Sequence, residues 1–145
     1  MSGTGKSSVL TELARRGYAV VETDEGDWSE VVDGERPWRE DLIAALLDGA
    51  GGTLFVQGCV ANQGCFYDRF DEVVLLSAPL DVILDRVRTR RTNDFGKRDA
   101  ERAQIVRDHA EVEPLLRVGA TAELDTRRPL VEVADELEAI AGSAR

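Results

Sequence analysis

The sequence predicts an α/β fold built on a parallel sheet, and two observations carry that expectation. Short apolar, β-branched runs alternate along the chain with segments whose apolar residues recur at helical spacing. Strands separated by helices pair in parallel through right-handed crossovers. The glycine-rich stretch Ser2 to Ser8, Ser-Gly-Thr-Gly-Lys-Ser-Ser, runs directly into the first helical segment. With no repeat and no linker, residues 1–145 read as a single domain, long enough to bury a core.

The elements follow in order. Lys6 to Arg16 carries Val9, Leu10, Leu13 and Ala14 at helical spacing, with Gly17 as its stop. Tyr18 to Glu22 is short and β-branched, hence a strand. After a polar stretch rich in Asp and Gly, Pro37 opens a helix with Leu42, Ile43, Leu46 and Leu47 as its stripe and Gly49 at its end. Thr53 to Gln57 is the next strand. Glu72 to Ser77 contains Val-Val-Leu-Leu, the continuous run of a strand buried on both faces. Pro79 starts a helix bearing Leu80, Ile83, Leu84 and Val87, and Thr92 to Lys97 breaks it. A long charged helix is expected over Asp99 to Arg117, a strand over Ala120 to Asp125, and a last helix from Pro129 through Ile140.

Composition narrows the function classes. The net charge of −10 opposes general binding to nucleic acid or anionic membranes, because the mean field repels phosphate. Cys59 and Cys65 are too few for a disulfide framework and fit no zinc spacing. No apolar run is long enough to span a bilayer and no signal-peptide core is present, so a cytoplasmic setting is expected.

The chemistry is concentrated at the start of the chain. Gly5, Lys6 and Ser7 fill the last three places of Gly-x-x-x-x-Gly-Lys-Ser/Thr, a phosphate-binding loop between a strand and a helix. Glycines let the backbone amides of Gly3, Thr4, Gly5 and Ser8 turn inward, and the helix N-terminus adds partial positive charge. The Lys6 ammonium then reaches the β- and γ-phosphates, while the Ser7 hydroxyl serves Mg²⁺. ATP and Mg²⁺ are the ligands this pattern predicts. Counting back from Gly5 puts the motif's first glycine one place ahead of Met1, and the strand before it would lie there too. Each buried backbone group left unsatisfied costs about 1–3 kcal/mol, so a whole strand's absence would rival the ~5–15 kcal/mol stability of a domain. A further short apolar strand and a glycine ahead of Met1 are therefore expected.

With this loop in place, the chain resembles the nucleoside monophosphate kinase and shikimate kinase group of P-loop proteins. It looks closest to small actinobacterial AAA family ATPases of adenylate-kinase-like type. The resemblance implies a three-layer P-loop sandwich whose first strand precedes Met1. Glu22-Thr23-Asp24 is similar to the Asp-x-Asp of shikimate kinases, which implies Glu22 as a Mg²⁺ carboxylate and Asp24 as an acceptor-holding, catalytic one. Asp85-Arg86-Val87-Arg88-Thr89-Arg90-Arg91 resembles the helix before the adenylate kinase lid. Arg86 is then expected against the adenine and Arg90 on a phosphate, the two sharing one helix face. From Arg86 to Arg98, six basic residues and one acidic residue give a local net of +5, which is otherwise read as a solvated helix face. Residues 92–98 would form a short lid, with Lys97, Arg98 and Arg102 as candidates for contacts to the transferring phosphate. Asp125-Thr126-Arg127-Arg128-Pro129 matches the adenine loop, giving Arg127 a nucleotide-binding place, although turn chemistry explains Pro129 equally well.

On the acceptor side, Asp24, Arg39 and Gln57 are the expected contacts, Arg39 as a bidentate clamp for a carboxylate or phosphate. Trp28 lies nearby, and Trp38 is either part of this region or core. The segment Gln57 to Gly64 has neither the triple glycine of shikimate kinases nor the Asp-Gly-x-Pro-Arg of nucleoside monophosphate kinases, so it names no acceptor. His109 reads as a surface residue and Cys59 as a small buried hydrophobe. The function expected is transfer of the ATP γ-phosphoryl group to a small hydroxyl- or phosphate-bearing metabolite. The alternatives are an ATP- or GTP-binding regulatory module with slow hydrolysis, and an inactive fragment.

Overall fold

The structure, a computed structural model, describes residues 1–143. Among these residues, six α-helices and four strands follow in the order α1 (Lys6–Arg15), β1 (Ala19–Glu22), α2 (Glu40–Asp48), β2 (Leu54–Gln57), β3 (Val74–Ser77), α3 (Leu80–Thr89), α4 (Asp99–Glu111), α5 (Glu113–Gly119), β4 (Ala122–Asp125) and α6 (Leu130–Ser143). A 3-10 segment, Gln63–Arg69, which the sequence pattern does not announce, lies between β2 and β3.

All strand pairing is parallel, as the alternation predicts, but the strands form two pairs and not one sheet. Ala19 to Glu22 stand opposite Leu54 to Gln57, and Val74 to Ser77 opposite Ala122 to Asp125. A cavity of about 710 Å³ lies between the pairs, with β2 and β3 as its strand walls. Period-two alternation sends neighbouring side chains to opposite faces. Phe55 joins Val9, Leu13, Leu124, Val133 and Leu137 under α1 and α6, whereas Val56 joins Trp38, Ile43 and Phe66 on the other face. Strands are thus sandwiched between helical layers. A third cluster, Ile83 and Val87 of α3 with Ile105 of α4, anchors the charged helices.

Three local expectations change. Pro37 does not begin α2, which starts at Glu40 with Arg39 as its N-cap. Along α1, Ala14 is exposed and Glu12 takes the buried place, tied to Arg15 and Arg16. The helix expected over Asp99 to Arg117 divides at Val112, because Pro114 lacks the N–H that a continuous helix needs and instead sits in the first turn of α5.

Candidate functional site

The parallel registers bring the carboxyl ends of β1 and β2 to Glu22 and Gln57, and those of β3 and β4 to Ser77 and Asp125. The loop of residues 1–5 spans both pairs at this edge. Gly3 and Gly5 have φ of +77° and +95°, where a side chain is strained. A Cβ at Gly3 would also lie 2.8 Å from the Ile83 side chain. Gly5 precedes α1, so the N–H groups of Lys6, Ser7 and Ser8 form the open positive end of a helix ten residues long. Thr4 is fully buried and its hydroxyl donates to the Met1 carbonyl at 3.0 Å.

Reactive groups converge on that end. The Ser7 hydroxyl donates to the Glu22 carboxylate, and the Lys6 ammonium donates to the Met1 carbonyl. Asp24, exposed beyond β1, accepts from the Gln57 side-chain amide at 3.0 Å. Gln57 is itself buried, and its Oε1 has no partner among the described residues. Thr23, which the sequence did not single out, ties this corner together. Its hydroxyl donates to the Gln57 carbonyl at 2.7 Å and accepts from Trp38 Nε1 at 2.9 Å.

Trp38 is therefore core: it is buried, edge-on to Phe66, and its backbone is bracketed by both side-chain atoms of Asn62. Gly58 is fixed by the same packing, since a Cβ there would sit 2.6 Å from Thr23 Oγ1 and 2.7 Å from Trp38. Arg39 anchors by its backbone N–H to the Trp28 carbonyl at 2.7 Å, and its guanidinium makes no hydrogen bond or ion pair within the described residues. Cys59 is half-buried and reduced.

On the other flank, Arg86 forks onto Thr126. Nη1 donates to its hydroxyl at 2.8 Å and to the Gly3 carbonyl at 3.2 Å, while Nη2 donates to the Thr126 carbonyl. One guanidinium thereby fastens the glycine loop to the β4–α6 turn. Arg127 is exposed and closes on Asp125, which its guanidinium and backbone N–H hold down to about 2.

Arg90 does not share a helix face with Arg86. It is the C-cap of α3, in extended conformation, and donates to the Asn93 and Phe95 carbonyls at 3.1 and 2.7 Å. Lys97 donates to the Arg88 and Arg90 carbonyls, and Arg102 to the Lys97 carbonyl and Asp99. Residues 92–98 are thus tied to the end of α3 and the start of α4 through Arg90, Lys97 and Arg102. Arg98 is the N-cap of α4, its backbone N–H donating to Glu101 at 3.3 Å. His109 is half-buried at the α4–α5 joint, 3.3 Å from the buried Glu113 carboxylate.

The sequence profile of the AAA domain matches residues 1–107. The chain belongs to this family of P-loop NTPase domains. No curated protein matches it. The match runs from the glycine loop through residues 92–98 and much of α4. A P-loop of this family carries a nucleotide-binding function, and the two parallel strand pairs are consistent with an α/β fold.

The residues present suit Mg²⁺. A hydroxyl and a carboxylate already touch at Ser7 and Glu22, a hard-oxygen pair next to the anion-binding helix end. Among the described residues no group of three or more His, Cys, Asp or Glu could hold a metal by itself. No helix of the described residues is long and apolar enough to cross a membrane.

Proposed function

We propose that this AAA domain is an ATP-dependent small-molecule kinase. It would move the γ-phosphoryl group of ATP to a hydroxyl- or phosphate-bearing acceptor such as a nucleotide, a nucleoside or a shikimate-like metabolite. The observation that carries the reading is the paired carboxylate corner. Glu22 meets Ser7 beside the phosphate loop, and Asp24, two residues on, is held by Gln57 from the adjacent strand.

Lys6 and the α1 N-terminus bind the phosphates and favour charge developing on them. When bound, Mg²⁺ supplies neutralisation of the β- and γ-phosphate oxygens. Asp24 orients the acceptor and takes its proton as the acceptor oxygen bonds to phosphorus and the β–γ bridging bond breaks. Gln57 aims Asp24, and Arg39 offers an unengaged fork to an anionic acceptor. Arg86 holds the adenine-side turn in register, with Arg127 beside it. Arg90, Lys97 and Arg98 place the lid cations, which exclude water on closing.

A regulatory nucleotide-binding module is the second reading. It is favoured by Arg90 and Lys97 being already bonded to the carbonyls of Phe95 and Arg90, and so engaged within the protein. Asp24→Ala separates the two. On the kinase reading, ATP affinity stays within about twofold, while ADP release stimulated by a panel of nucleosides, nucleotides and polyol acids falls at least 100-fold. If no acceptor stimulates ADP release above basal hydrolysis, the module reading stands and the kinase reading fails.

A further inference from the structure

We propose that the acceptor is a hydroxyl compound that also carries a protonated amine, held by Gln57 Oε1 within the acidic region that follows β1. This rests on the kinase reading and narrows it to one class of acceptor. Two independent observations point there: a run of negative charge and an orphaned buried oxygen.

Charge is divided between two segments of the chain. Arg86 to Arg98, on the nucleotide side, has a local net of +5. From Glu22 to Asp41, between the end of β1 and the first turn of α2, nine acidic residues stand against Arg36 and Arg39, a local net of −7. Asp24, Glu25 and Asp27 are exposed directly after β1. Such a field attracts a cation and repels a phosphate-bearing acceptor.

An acidic run by itself is ordinarily a solvated surface, and Gln57 is what makes this one a site. Gln57 is 5% exposed, and its Nε2 donates to Asp24 Oδ2 at 3.0 Å. Held that way round, the amide sets Oε1 beside the same carboxylate, with no partner among the described residues. A buried acceptor left unpaired opposes folding, so the oxygen calls for a donor. Lys6 does not supply it, because its ammonium bonds the Met1 carbonyl. An ammonium has three N–H donors and no acceptor. It can bond Gln57 Oε1 while the neighbouring hydroxyl of the same molecule bonds the second Asp24 oxygen. A phosphate or carboxylate would present only acceptors to both.

Asp27 and Trp28 also line a shallow cavity of about 490 Å³ with Leu42, Ala45 and Leu46. An indole face beside a carboxylate receives hydrocarbon and ammonium groups alike. Arg39, whose guanidinium is unengaged within the described residues, can take a carboxylate on the same molecule. Amino alcohols, amino sugars and hydroxy amino acids therefore all belong to the class. The amine itself does not react. The hydroxyl oxygen bonds to the γ-phosphorus, its proton passes to Asp24, and ADP leaves as the β–γ bridging bond breaks.

The test is a panel of matched acceptors with ADP release as its readout. Ethanolamine, glucosamine and homoserine are compared with ethylene glycol, glucose and γ-hydroxybutyrate, which lack the amine, and with AMP, shikimate and glycerol phosphate. At least one amine is expected to exceed its deaminated match by about tenfold in kcat/KM, the effect of one charged hydrogen bond. That value should fall several-fold as salt rises from ~0.05 to ~0.5 M, because screening weakens the attraction. Gln57→Leu removes Oε1 and should lower kcat/KM about tenfold more for the amine than for its match. Equal losses for the two would mean a structural role only and would overturn the assignment. The panel and the salt series need no variant, so they decide the matter even where Gln57→Leu does not fold. Stimulation by the neutral or anionic acceptors alone overturns this proposal and leaves the kinase reading in place, whereas stimulation by none overturns both.

Discussion

Gly96 shows how much a single residue can decide. It has φ of +95°, and a Cβ there would lie 2.0 Å from a Val87 methyl and 2.9 Å from Ile105. Its backbone N–H also donates to Glu101 at 3.2 Å, tying this loop to the first turn of α4. Gly96→Ala combines a left-handed backbone penalty of about 1–2 kcal/mol with overpacking of about 1–3 kcal/mol. It is expected to lower stability by roughly 2–5 kcal/mol, read as a fall in the urea midpoint. Gly96 was visible in the sequence as part of the break after α3. That it is wedged against Val87 was not, because only the α3–α4 packing creates the contact.

Among elements, the junction of the glycine loop, α3 and the β4–α6 turn is the most informative. Arg86 reaches it from the second turn of α3 and satisfies three acceptors there. Arg86→Ala leaves the Gly3 and Thr126 carbonyls without their donor, so ATP affinity should fall about tenfold and Tm should drop with it. Arg86→Lys should restore little, since an ammonium cannot reproduce the planar fork. Calorimetric titration and thermal melting of the two variants check this; full rescue by lysine would show that only the charge matters.

The two ends of the Arg86/Arg90 pattern were unequally legible. The spacing of four was plain, but the carbonyls of Asn93 and Phe95 draw Arg90 out of the helix, and nothing local in the sequence marks that. Pro114 did mark the division of α4 from α5 and was overridden by the charged periodicity around it. The P-loop helix, the four strands and the Glu22–Asp24 corner were legible because each rests on a local pattern. Thr23, Thr126 and Asn62 were not, since ordinary polar residues gain their roles from partners 15 to 49 positions away.

At the scale of the molecule, the helical layer over both strand pairs is pinned by charge as well as by apolar packing. Glu12 of α1 bonds Arg15 and Arg16, and Arg16 continues to Asp135 and Glu138 of α6. Those two arginines hold the Glu12 carboxyl down from its ordinary 4.5 to about 2. A carboxyl depressed in the folded state stabilises it above pH 4.5, and that contribution is lost as pH falls from 4.5 towards 2. Asp125 and Glu123, held down by Arg127 and Arg117, act in the same direction. Glu12→Gln should therefore be less stable than the parent at pH 7 and nearly equal to it at pH 2, by urea unfolding at both. A difference that persists unchanged at pH 2 would mean that packing, and not the ionised carboxylate, matters at this position.

The whole chain also separates its charge, a net of −10 overall against a local +5 from Arg86 to Arg98. That arrangement is expected to draw a phosphate-bearing ligand towards the glycine loop, where Arg86 bonds the Gly3 carbonyl. Residues 2–8 are expected to bind nucleotide phosphate there. Calorimetric titration of ATP with Mg²⁺ into the protein and into Lys6→Ala tests it most directly. Loss of one charged contact to phosphate, worth about 1.5–3 kcal/mol, should weaken binding by roughly 10- to 100-fold in the variant. Equal affinity in the two proteins, or no binding in either, would contradict it.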